Sequence, residues 1–145
     1  MCSSDLTSDT QSCGCYQKEK LSKRSKIEYG LSSKKAAYGV YKDGAKKRNL
    51  SFNLTFDQFL ILTQQNCFYC GSKPNNLYKN ICGNGNFIYN GIDRLDNTKG
   101  YTLDNVVPCC YQCNWAKRDL SINEFISWVN RIYERKMVIG NDYSS

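Results

Sequence analysis

Apolar residues first recur with a helical period between Ser33 and about Arg48. Ala37, Tyr38, Tyr41 and Ala45 fall on one face, while Lys34, Lys35, Lys42, Lys46 and Lys47 cover the rest. Gly39 and Gly44 weaken this helix without ending it. Thr55-Phe56-Asp57-Gln58 has the form of a capping box, and Phe56, Phe59, Leu60 and Thr63 follow at helical spacing. The pattern predicts a short helix to about Gln65 that delivers the chain to Cys67. Ser72 to Asn86 is crowded with turn formers, Lys-Pro-Asn-Asn and Gly-Asn-Gly-Asn, and predicts a variable loop outside the core.

The second half of the chain changes period. Phe87 to Asp93 alternates as a strand does, and Asn105-Val106-Val107-Pro108 is a second short extended run. The Asn97-Thr98-Lys99-Gly100 between them is turn chemistry, which predicts a long-looped hairpin. Tyr111 to Arg118 suits a short helix. Ser121-Ile122-Asn123-Glu124 is another capping box, opening a helix whose Ile122, Phe125, Ile126, Val129, Ile132 and Tyr133 share a face. That stripe predicts a helix packed as a brace against the body.

Length and composition bound the reading. The chain has 145 residues, enough for one domain with an N-terminal extension. It has no run of about 18 apolar residues, and its start, MCSSDLTSDTQSCGC, lacks the basic and apolar blocks of a signal peptide. An intracellular, soluble protein with no membrane partner is expected. The net charge of +7 is concentrated: Gln17 to Arg48 holds eleven Lys or Arg against three acids. A segment of this kind suits phosphate backbones or is a solvated arm. Residues 1–32 are expected to be a flexible basic extension and residues 137–145 a tail.

Nine cysteines without a secretory signal point to metal ligation rather than disulfides. Cys67-Phe68-Tyr69-Cys70 and Cys110-Tyr111-Gln112-Cys113 are two Cys-x-x-Cys pairs with 39 residues between them. Two such turns complete a tetrahedral four-sulfur site for a structural Zn²⁺ that leaves no open position. Cys109 is a rival to Cys110, but only Cys110 has the right spacing to Cys113. Cys2, Cys13, Cys15 and Cys82 form no assignable pattern. A short hairpin and a short helix bury little apolar area, so a metal staple explains how they hold together.

Between and just after these pairs lie Gly91-Ile92-Asp93-Arg94, Gly100-Tyr101-Thr102, Asp104-Asn105 and Cys113-Asn114-Trp115-Ala116-Lys117. Together they resemble the HNH endonuclease family and its ββα-metal motif, in the subgroup where Asp-Arg replaces Asp-His, which includes PacI-type restriction enzymes and virus-encoded nucleases. The resemblance covers about Ala45 to Tyr133. It implies an α+β fold, a small zinc-stapled ββα-metal core with flanking helices, within a nuclease domain at residues 33–136. It implies cleavage of double-stranded DNA with catalytic Mg²⁺ or Mn²⁺, and a homodimer if both strands are cut.

Carried onto this sequence, the resemblance makes Asp93 and Asn114 ligands of the catalytic ion, puts Arg94 at the general-base position, and makes Asn105 the residue that ties the hairpin loop. The chain contains no histidine. Arginine, with a pKa above 12, does not take a proton from water, so Arg94 is expected to grip the scissile phosphate instead. Tyr69, fixed between two zinc ligands, is the nearest candidate for base or nucleophile, its phenol activated by an adjacent Arg; a metal-activated water is the alternative. Lys46, Lys47, Arg48 and Lys117 are expected at DNA phosphates. The competing functional reading is a catalytically inactive, zinc-stabilised nucleic-acid-binding module.

Overall fold

The computed structural model describes residues 28–79 and 84–142, side chains from residue 137 onward excepted. Cys2, Cys13, Cys15, Cys82 and the basic residues before Glu28 lie outside the described residues, as do residues 1–27 of the expected extension and residues 143–145 of the expected tail, whose residues 137–142 are helical. Eight elements follow in order: α1 (Leu31–Lys47), α2 (Phe56–Thr63), β1 (Asn76–Lys79), β2 (Asn86–Tyr89), β3 (Gly91–Arg94), β4 (Val106–Cys109), α3 (Tyr111–Lys117) and α4 (Ile122–Asp142). Among the described residues no helix is long and apolar enough to cross a membrane.

The main core is built where the helical period of α1 meets that of α2. Ala37 and Ala45 are buried on α1, and Phe59 is buried on α2. Between them Tyr38 takes Phe52, Phe56 and Phe59 edge-on, each with ring centroids 5.5 Å apart. Its hydroxyl escapes desolvation by donating to the Leu54 carbonyl at 2.7 Å. The capping box of α2 forms as the sequence predicts: Thr55 Oγ1 accepts from the Gln58 amide at 3.2 Å, and the Thr55 amide donates to Gln58 Oε1 at 2.9 Å.

The predicted hairpin is β3 paired antiparallel with β4, in the register Gly91 to Cys109, Ile92 to Pro108, Asp93 to Val107 and Arg94 to Val106. Its long loop is tied to the α1–α2 connection, where Phe52 and Tyr101 form a parallel bridge. The Tyr101 amide donates to the Ser51 carbonyl at 2.8 Å, and the Asn53 amide donates to the Tyr101 carbonyl at 2.9 Å. Gly100 is needed at this crossing, because a Cβ there would overlap Ser51.

Three expectations are corrected. The stretch Ser72 to Asn86 is not all loop: β1 pairs antiparallel with β2, matching Leu77 to Ile88 and Tyr78 to Phe87. The turn formers flank a four-residue strand that alternates between half-buried and exposed. Phe87 to Asp93 is not one strand but two, split at Asn90, whose side-chain amide donates to the carbonyls of Gln65 at 2.8 Å and Ser72 at 3.2 Å. These bonds turn the chain from one sheet to the other. Nor is the apolar stripe of α4 a packed brace. Phe125 is 4% exposed, whereas Ile126, Val129, Ile132 and Tyr133 are 42%, 40%, 51% and 65% exposed.

Candidate functional site

Cys67, Cys70, Cys110 and Cys113 bring their sulfurs within 4.8 Å of one another. The Cys70 and Cys110 sulfurs are 3.7 Å apart, too far for a disulfide and close to the edge of about 3.8 Å that a tetrahedron with 2.3 Å zinc–sulfur bonds requires. Four thiol donors and no fifth ligand suit a closed, structural zinc. The thiols are pushed in opposite directions. Hydrogen bonding to Ser72 brings Cys70 down to about 6, while burial pushes Cys113 up. Cys109, the rival, stands outside the cluster, fully buried and with its thiol pushed up by that burial. Cys110 also caps α3, its sulfur accepting from the Cys113 amide at 3.4 Å, so the staple and the helix start at one residue.

Asp93 is the hub of the second site. Central on β3 and 6% exposed, it accepts from the Tyr69 hydroxyl at 2.8 Å on Oδ2. Lys117 Nζ lies 3.0 Å from the same oxygen and also donates to the Arg94 carbonyl at 3.1 Å. Lys117 therefore lies away from any external phosphate, contrary to the expectation from its charge: its side chain has 0% exposure. The missed signal is helical geometry, since Lys117 falls one turn after Cys113 and Asn114 on the face of α3 that turns toward β3.

Tyr69 stands beside a carboxylate rather than an arginine. Burial, then the hydrogen bond to Asp93, raise its phenol above the ordinary value instead of lowering it. The expected activation by a neighbouring arginine is thus corrected. Its ring packs edge-on against Phe68 at 5.2 Å and Phe125 at 5.3 Å, so the first turn of α4 fixes it from behind.

Arg94 turns away from Asp93 toward the hairpin loop. One terminal nitrogen, Nη1, donates to the carbonyls of Asn97 at 2.7 Å and Lys99 at 2.8 Å. Its guanidinium carbon lies 5.5 Å from the Tyr101 ring centre. Arg48 reaches the same ring at 5.8 Å and donates to its hydroxyl at 2.8 Å. Tyr101 thus links two arginines that lie 46 positions apart, a link the sequence pattern did not reveal. Lys46 and Lys47, at the end of α1, are exposed beside them.

Asn105, 4% exposed, clasps the loop. Its Oδ1 accepts from the Asp96 amide at 3.0 Å, and its Nδ2 donates to the carbonyls of Asp96 at 3.1 Å and Gly100 at 2.9 Å. Asn114 is half-buried on α3, three residues before Lys117 and hence on the same side of the helix as the group that meets Asp93. Both described side-chain contacts of Asp93 use Oδ2. Oδ1 and the Asn114 amide oxygen are hard donors of the type Mg²⁺ or Mn²⁺ takes.

No family model matches the chain. It is 42% identical over 89 residues to an uncharacterised protein of Acanthamoeba polyphaga mimivirus, a stretch that is 61% of this chain and 15% of that protein. The chain therefore matches only a small part of that relative's length. The solved structure of the rare-cutting HNH restriction endonuclease PacI is similar over 74% of this chain and 81% of that one, with a TM-score of 0.51 and 22% identity. That likeness is one of fold: the zinc-type cysteine cluster, the β3–β4 hairpin and α3 form an HNH-like core.

Proposed function

We propose that the chain is a metal-dependent endonuclease of HNH type that hydrolyses DNA phosphodiester bonds, in the variant with Arg94 where the base histidine usually stands. The observation that carries the reading is the convergence of Tyr69 and Lys117 on one oxygen of Asp93, on a strand held against α3 by the cysteine cluster. Such a buried, charge-matched constellation, with Arg94 half-buried and Arg48 exposed nearby, is more than a zinc module needs for folding. The fold likeness to a DNA-cutting enzyme supports the same substrate class.

Asp93 Oδ1 and Asn114 would hold a divalent cation, which would offset the charge developing on the phosphate. Arg94, anchored to the loop through Nη1, offers its remaining N–H groups to the scissile phosphate, and Arg48 does the same from the other side of Tyr101. Lys46 and Lys47 bind flanking phosphates without reading sequence. In one route Tyr69 Oη attacks phosphorus while its proton passes to Asp93 Oδ2, and the bond to the sugar oxygen breaks as that oxygen takes a proton from solvent; water then hydrolyses the tyrosyl ester, and Asp93 returns the proton to the tyrosine oxygen. The raised phenol favours a second route in which Tyr69 only orients Asp93 and water attacks directly.

Purified zinc-loaded protein incubated with supercoiled plasmid and Mg²⁺ or Mn²⁺ is expected to nick or linearise it. Asp93→Ala and Arg94→Ala should each lose roughly 100-fold or more in rate. A wild-type protein that binds DNA but leaves the plasmid intact with every divalent ion would instead be the inactive zinc-stabilised module. Cutting of both strands would call for two active sites, and so for a homodimer.

A further inference from the structure

The charges around Asp93 carry a consequence for how the catalytic ion arrives. Asp93 provides one negative charge, and the buried Lys117 ammonium 3.0 Å away already matches it. No second carboxylate pairs with Lys117: among the described residues its one salt bridge is to Asp93, and no group of three or more potential metal-ligating His, Cys, Asp or Glu side chains includes Asp93. Asp96, near in sequence, is engaged with Thr98 and Lys99. The two charged groups that meet over the Tyr101 ring, Arg94 and Arg48, are positive. A divalent cation entering here alone meets oxygen ligands but no uncompensated negative charge. Mg²⁺ in particular sheds its water reluctantly and binds through one or two carboxylates together with substrate phosphates.

Lys117 is not free to step aside. It has no exposed surface and is fixed at a second point by the Arg94 carbonyl. Its ammonium is held beside Asp93, set against the ion. A phosphodiester supplies what is missing, a negative charge and an additional oxygen ligand.

We infer that Lys117 keeps the Asp93 site unable to bind a divalent cation in the free protein, so that the ion enters only together with a DNA phosphate. This rests on the nuclease reading above and deepens it. DNA and metal then raise each other's affinity by the same factor, as linkage requires. Lys117 acts here as a positioning and charge-setting residue that need not touch substrate, and premature occupancy of the site without DNA is suppressed.

The test measures Mn²⁺ binding by electron paramagnetic resonance on the zinc-loaded full chain. It is run with and without a short phosphorothioate duplex, subtracting duplex alone and using Asp93→Asn as background. Free wild type should take up no Mn²⁺ above that background, and the complex should take up one ion per chain. Free Lys117→Met should bind Mn²⁺ at least about tenfold more tightly than free wild type. If that variant does not fold, as its zinc content will report, the wild-type comparison with and without duplex still decides. One Mn²⁺ bound equally well by free and DNA-bound wild type overturns the inference while leaving a plasmid-cutting enzyme intact. No Mn²⁺ above background in either state, with uncut plasmid, overturns the nuclease reading as well.

Discussion

Asn105 satisfies three backbone groups of the hairpin loop with one amide, donating from one end and accepting at the other. Asn105→Asp keeps the shape but turns the donor into an acceptor facing two carbonyls. The variant should lose about 2–3 kcal/mol in chemical denaturation of the zinc-loaded protein, with cleavage falling further because Arg94 is anchored in the same loop. Asn105 was legible in the sequence because its place after Asp93 and before the second cysteine pair matched a motif. Lys117 was not. A lysine one turn past a zinc ligand reads as surface charge, and only the packing of α3 on β3 turns it inward to Asp93. Tyr69 was legible as a position but not as a chemistry, since its partner comes from a strand 24 residues away. Tyr69→Phe removes the hydroxyl and keeps the ring between Phe68 and Phe125, so zinc content and DNA affinity should persist. Plasmid cleavage should drop about 100-fold or more if the phenol attacks. Near-normal cleavage would leave only the water route.

At the scale of elements, local signals held where a cap or a period-2 run sat on its own and failed where tertiary contacts decided. The α2 capping box formed as written, and Thr55→Ala should cost about 1 kcal/mol in thermal or chemical unfolding. The β1–β2 hairpin was hidden because its strands are four residues long and bordered by turn formers, and Asn90 split a run whose alternation gave no sign of a break. The α4 stripe read as a core face, yet of its residues only Phe125, seated on Tyr69, is fully buried, and Ile122 is half-buried. The start of that helix carries a pH signature. Glu124 accepts from the Ser121 amide at 2.8 Å and hydroxyl at 2.7 Å, bonds that hold its carboxyl below the ordinary 4.5. A depressed folded-state value means the cap's contribution is full above the unfolded value and fades as pH falls through the folded one. Helical circular dichroism from α4 should therefore be level above the ordinary glutamate value and decline as pH falls below it, and Glu124→Gln should flatten that decline. An equally steep decline in the variant would assign the effect to other carboxylates.

Across the whole molecule the cysteine cluster is the joint on which both sites depend. Cys67 and Cys70 hold Tyr69 between them. Cys110 directly follows β4 and caps α3, so it joins the partner strand of Asp93 to the helix that carries Asn114 and Lys117. The two Cys-x-x-Cys pairs made this staple legible from spacing alone, because four thiols around one ion need little besides two tight turns. What spacing did not show is that the cysteine cluster adjoins the Asp93 triad, so that an ion held there would position the triad as well as the fold. Removing the ion with a strong chelator should release Tyr69 and Lys117 from Asp93 together. The expected signs are a loss of near-ultraviolet circular dichroism and a fall in the unfolding midpoint, both restored when Zn²⁺ is returned, since binding energy at such sites is folding energy. Cys110→Ser should bind substoichiometric zinc and behave like the chelated protein. Cys109→Ser is the sharper comparison, because Cys109 is fully buried at the neighbouring position yet outside the cluster. That variant should keep one zinc per chain and lose only packing stability. If metal analysis found one zinc in Cys110→Ser and none in Cys109→Ser, the ligand assignment would be reversed, and with it the link between the ion and the start of α3.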